Sequence, residues 1–148
     1  MSPSDPSHDG ARRPIWLGIV VGWLAQLGLK TLLPIVVLVG WSYWQHWVGV
    51  QSPSIQSPPR SSDPAWYGAQ AAVFLGSVLA GILAARLVSR RSRLLPIALV
   101  VLSLLSTAFE QFPMPLSATV LSIWALGPCL GLIAGICLAW RRMDTKAP

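Results

Sequence analysis

Residues 16–41 read WLGIVVGWLAQLGLKTLLPIVVLVGW, an apolar run with one cation, Lys30, near its centre. A run of 18 or more apolar residues reads as a helix able to cross a bilayer. A charge at the centre of such a helix costs roughly 2.5–3.5 kcal/mol on insertion scales, so it calls for a partner or a purpose.

The rest of the chain fits that reading. Its 148 residues are 53% hydrophobic and 11% charged, whereas soluble domains average roughly 25% charged. Four spans of about 20 residues with short connections account for most of the length. The expected fold is therefore an all-α membrane protein with four transmembrane helices in an up-down-up-down bundle. Net charge is +6 and the pI is near 10.4. The arginines flank apolar runs and build no basic, aromatic surface, so cytoplasmic flanks and anionic lipid headgroups explain the basicity better than nucleic acid.

Outward from the quoted run, residues 1–13 read as a disordered cytoplasmic tail rich in Ser, Pro and Asp. Arg12 and Arg13 ahead of an apolar run imitate a secretory signal. The run is too long for one and no small-residue cleavage site follows, so an uncleaved anchor is expected. The first span, 15–41, exceeds what a bilayer needs and should tilt or kink, with Pro34 as the kink point. Trp41, Tyr43, Trp44 and Trp47 then form an aromatic cluster suited to the headgroup level. Residues 51–64, QSPSIQSPPRSSDP, form a Ser/Pro-rich outer loop, with a docking segment for a partner as the functional alternative.

The second span, 65–88, carries small residues every four positions: Gly68, Ala72, Gly76, Ala80 and Ala84. A second row, Ala69, Ser77, Gly81 and Ala85, lies beside it, and the two together predict a flat face for another helix. SRRSR follows, and its Arg90, Arg91 and Arg93 are candidates for lipid headgroups. The third span, 94–112, has Pro96 in its first turn, where proline is tolerated. PMPL at 113–116 turns the chain into the fourth span, 117–140, where Gly127, Gly131 and Gly135 repeat the four-residue spacing. Residues 143–148 close the chain as a second cytoplasmic tail.

Counting charges sets the expected orientation. Arg12, Arg13, Arg86, Arg90, Arg91, Arg93, Arg141, Arg142 and Lys146 fall on one side of the spans and Arg60 on the other. The positive-inside rule places both termini in the cytoplasm.

Lys30 and Glu110 are the ionisable residues that fall inside the spans. Each lies 17 residues beyond an arginine at the cytoplasmic side, Arg13 and Arg93, or about 25 Å along a helix. Gln70 is 16 residues from Arg86 on the span running back, which predicts one polar layer of Lys30, Glu110 and Gln70. Faces agree with depths. Gly18, Gly22, Gln26, Lys30 and Pro34 share a stripe, as do Ser103, Ser106, Thr107 and Glu110. Lipid offers no hydrogen-bond partners, so both stripes should turn inward. The expectation is a buried Lys30–Glu110 ion pair with Gln26, Gln70 and Thr107 around it. The other arrangement puts Glu110 at the outer interface, facing water.

Cys129 and Cys137 share one helix eight residues apart, where they cannot bridge each other, and read as small apolar filler. His8 and His46 have no face-matched second histidine, so no metal or haem site and no cofactor is expected. No Walker loop, H-E-x-x-H pair, nucleophile elbow or dinucleotide fingerprint occurs, and no catalytic residue stands out. An enzyme is not expected.

The stretch GSVLAGILAARLVSRRSRLL, followed by an apolar hairpin ending in glycines and then AWRR, resembles a loose class of small four-helix bacterial inner-membrane proteins of unknown function. The resemblance covers the last half of the chain, rests on packing features, and implies localisation in a cell membrane without implying an activity. Small multidrug exporters share the size and span count, but their carboxylate lies in the first span, where this chain has Lys30.

Two functional readings follow. In the first the protein is a structural or accessory membrane subunit whose bundle is organised by the Lys30–Glu110 pair. The lipid bilayer, other membrane proteins or a second copy of the chain are then its partners. In the second it is a small transporter or channel in which that pair takes a proton, an ion or an anionic substrate. A lipid-interacting protein using SRRSR is a weaker third.

Overall fold

Apolar segments without interior strand signals wind into four helices in the computed structural model, which describes residues 14–49, 64–88, 92–110 and 118–144. They are α1 (Ile15–Trp47), α2 (Pro64–Leu87), α3 (Leu94–Glu110) and α4 (Ala118–Asp144), with no strand among the described residues. Side chains of α4 are described over 123–143. The expected tail 1–13, the loop 51–63, the turn 113–116, Arg90, Arg91 and residues 145–148 lie outside the described residues.

α1 begins after Pro14, whose carbonyl accepts from Leu17 N at 3.1 Å. It has 33 residues, about 50 Å of helix, and runs six residues past the expected end at Trp41. The aromatic cluster is therefore part of the helix. Gly49, at φ 73°, ends it in a left-handed conformation that only glycine adopts without cost. Pro34 sits inside α1 and Pro128 inside α4, and each removes one backbone donor from its helix.

Close approaches at small residues define the packing. Gly18 of α1 meets Ala84 of α2 and Val88 just past its end, Gly76 meets Leu29 and Leu33, and Gly68 meets Val37, so α1 and α2 are antiparallel. Gly131 of α4 meets Phe74 and Ser77, Gly135 meets Val78 and Ile82, and Gly81 meets Leu132 and Ile136, so α2 and α4 are parallel. α2 thus gives one small row, Gly68, Gly76 and Ala84, to α1 and the other, Ser77 and Gly81, to α4. The flat face expected for one partner serves two.

α3 closes the ring between α1 and α4. The order around the bundle is α1, α2, α4, α3, so α1 and α3 are parallel neighbours and not diagonal. The reason is the use of α2: with both small rows occupied, it leaves α3 to pack elsewhere, and α2 and α3 face each other across the bundle despite following one another in the chain.

Among the described residues three helices are long and apolar enough to cross a membrane, whereas the 17 described residues of α3 cover about 25 Å. The surface is apolar and the interior holds polar groups. Leu24, Leu32, Val36, Leu75, Leu79, Ile97, Leu105 and Leu130 are exposed, while Gln26, Lys30, Ser77, Ser103 and Thr107 are buried. The apolar core lies at one end, where Ala84, Val88, Leu95 and Leu99 close around Gly18 and Gly22. Arg86, Arg93 and Arg141 mark that same end. Trp66, paired edge-on with Tyr67 at 5.2 Å between ring centroids, marks the opposite end with Trp44 and Trp47. Trp66 and Arg86 are 20 residues apart on α2, about 30 Å.

Candidate functional site: a buried polar ladder

The site grows from a single register. Gly18 faces Leu95, Gly22 faces Leu99, Gln26 bonds Ser103 and Lys30 bonds Thr107. Each pair is separated by 77 residues, so two parallel helices match a four-residue repeat rung by rung. The first two rungs are glycine against leucine and the last two are polar against polar.

Gln26 Nε2 donates to Ser103 Oγ at 2.7 Å, with both side chains buried. Lys30 Nζ donates to Thr107 Oγ1 at 3.3 Å and to Glu110 Oε2 at 2.8 Å. The ion pair joins unequal environments, since the Lys30 side chain is 6% exposed and that of Glu110 46%. Cys129 of α4 is buried against Ser103, so the ladder touches a third helix.

Why a lysine suits this position follows from its partners: the Glu110 carboxylate carries the opposite charge and the Thr107 hydroxyl accepts a second hydrogen bond, so the ammonium is paired where it leaves water. Pro34 adds to the polarity there, because a residue with an N–H at that position would bond the carbonyl of Lys30.

Of the residues singled out from sequence, Gln26, Lys30, Thr107 and Glu110 meet in this network. Gln70 does not belong to it: Gly68 lies at Val37 and Gly76 at Leu29 and Leu33, which sets Gln70 between those levels, about a turn or more beyond Lys30. Gly18, Gly22, Gly68, Gly76, Gly131 and Gly135 sit at helix contacts, but a Cβ on Gly127 would meet nothing within 4 Å. Gly127 keeps the four-residue spacing yet has open space where a Cβ would stand. Arg93 and His46 are exposed, and Cys137 is exposed while Cys129 is buried.

Ser103, on the stripe expected to turn inward, and Cys129 complete the ladder beside the ion pair. The four-residue spacing from Thr107 back to Ser103 was the available signal for the first. Nothing in the sequence marks Cys129, whose place depends on how α4 packs. Among the described residues no group of three His, Cys, Asp or Glu side chains is arranged to hold a metal ion. Comparison of the chain with protein-family models, curated proteins and solved structures finds no match.

Proposed function

We propose that this chain is a multi-pass protein of a cell membrane, of the small four-helix kind found in bacterial inner membranes, with both termini cytoplasmic. It acts as a structural or accessory subunit and not as an enzyme. The inside-out distribution of polarity supports the membrane setting, since apolar side chains cover the outside and the charges pair within. The spacing of about 30 Å between Trp66 and Arg86 along α2 matches a hydrocarbon core. Arginines at one end favour that end as cytoplasmic.

One observation favours a structural role for the ladder. Its polar rungs stop at Gln26 and Ser103, and beneath them Gly18, Gly22, Ala84, Val88, Leu95 and Leu99 pack into an apolar plug. From Gln26 to Gly18 is eight residues, about 12 Å, and both rungs beneath Gln26 on the α1–α3 seam set glycine against leucine. Such an arrangement fixes register between two parallel helices, the best-supported use of buried polar groups. Partners would be the bilayer together with other membrane proteins or a second copy.

The second reading, a small transporter or channel, draws on Glu110. Its half-exposed carboxylate gives the ladder an opening on the side away from the arginines, where a proton, ion or anionic substrate would arrive. Transport would require the plug to open.

The test is a double-mutant cycle on the purified protein in mild detergent, with Lys30→Met, Glu110→Gln and both together. Destabilised single variants and a recovered double variant support the structural role. Equal stability of all four proteins would overturn it and direct attention to transport.

A further inference from the structure

Two buried polar atoms on α1 have no hydrogen-bond partner among the described residues: Trp23 Nε1 and Gln26 Oε1. Gln26 is 2% exposed, and Trp23 packs against the apolar core. One atom is a donor and the other an acceptor. Leaving either unpaired in a dry interior costs roughly 1–3 kcal/mol, and native interiors rarely tolerate it.

The two residues stand three apart on one helix, so their Cβ atoms lie about 5–6 Å from each other on the same face. That spacing suits one bridging molecule that both accepts and donates. Turning the Gln26 amide over does not remove the need. Its oxygen would then accept from Ser103 and its nitrogen would be the orphan, beside the same indole N–H. Buried waters recur where polar groups would otherwise go unpaired, each typically making two to four hydrogen bonds.

We propose that a single buried water molecule sits between Trp23 and Gln26, accepting from the indole Nε1–H and donating to the amide Oε1. The water extends the ladder of Glu110, Lys30 and Gln26 by one further rung toward the arginine end. It goes no further, because Leu95 and Leu99 are fully buried at the next level. The site is therefore a hydrated dead end within the bundle. It stands independently of any transport or accessory role, since the unpaired atoms exist whatever the protein does.

The experiment uses the full chain in lipid nanodiscs with ¹⁵N-labelled tryptophan. Trp23→Phe assigns the Trp23 indole signal by its disappearance. A direct dipolar cross-peak between that indole proton and water, distinguished by its sign from chemical exchange, is the expected result. Gln26→Leu should abolish that cross-peak while other tryptophan signals stay in place. If Gln26→Leu does not fold, the wild-type spectrum decides alone. An indole proton in contact only with lipid methylenes, or only with the Gln26 side chain, would overturn the proposal, and so would a water signal due solely to exchange.

Discussion

Lys30 and Glu110 share one 2.8 Å ion pair, but the lysine side chain is 6% exposed and the glutamate 46%. The two partners are therefore not equivalent when either is removed. Glu110→Gln leaves an ammonium enclosed by α1 and α3, the situation that typically costs about 3–5 kcal/mol. Lys30→Met leaves a carboxylate that can turn outward, with a smaller cost of about 1–2 kcal/mol, between surface and buried pairs. Melting temperatures in detergent should rank the wild type first, Lys30→Met next and Glu110→Gln last. The reverse order of the two variants would mean that Lys30 has an escape route.

The glycines offer a second contrast on one helix. A Cβ at Gly135 would run into the carbonyl oxygen of Val78, and one at Gly131 would come 2.7 Å from that of Phe74. Backbone cannot move aside as a side chain can. Gly135→Ala should cost roughly 1–3 kcal/mol by overpacking. Gly127→Ala meets nothing within 4 Å and should be neutral or stabilising by up to about 1 kcal/mol through helix propensity. Thermal unfolding of the two variants side by side checks this.

Legibility in the sequence divides along the same lines. Lys30 and Glu110 could be matched because α1 and α3 run the same way and start level, with Leu95 at Gly18. Gln70 was misplaced because its depth was counted from Arg86 as though all arginines sat at one height. Ala84 packs at Gly18 and Gly22, which puts Arg86 level with the first turns of α1 and not ahead of that helix's start. Long basic side chains reach the same surface from different Cα depths, and that freedom defeats the count. Small-residue spacing announced close packing but not which helix each row meets. That choice is tertiary, and the placement of α3 beside α1 and α4 followed from it.

Pro34 deprives the Lys30 carbonyl of its helical donor. Pro34→Ala should restore that bond and raise the melting temperature, by an amount corresponding to about 1–3 kcal/mol. A lower melting temperature would show that the freed carbonyl, or the bend it permits, is needed by the network around Lys30.

Orientation is testable with thiol chemistry. In a Cys129→Ala, Cys137→Ala background, Arg60→Cys should react with a membrane-impermeant maleimide added to intact cells. Lys146→Cys should react only after the cells are opened. The opposite pattern would invert the proposed topology.

The partners of the ion pair are 80 residues apart in the chain. At synthesis rates of about 5–20 residues per second, roughly 4–16 s separate the emergence of Lys30 from that of Glu110. In a chain inserted as it is made, the first two helices enter before the carboxylate exists. During that interval the ammonium has neither Glu110 nor Thr107, and it must reach for headgroups or be sheltered by the insertion machinery. In such a chain assembly would be ordered in time as well as space, because Lys30 gains Thr107 and Glu110 only once α3 has been made.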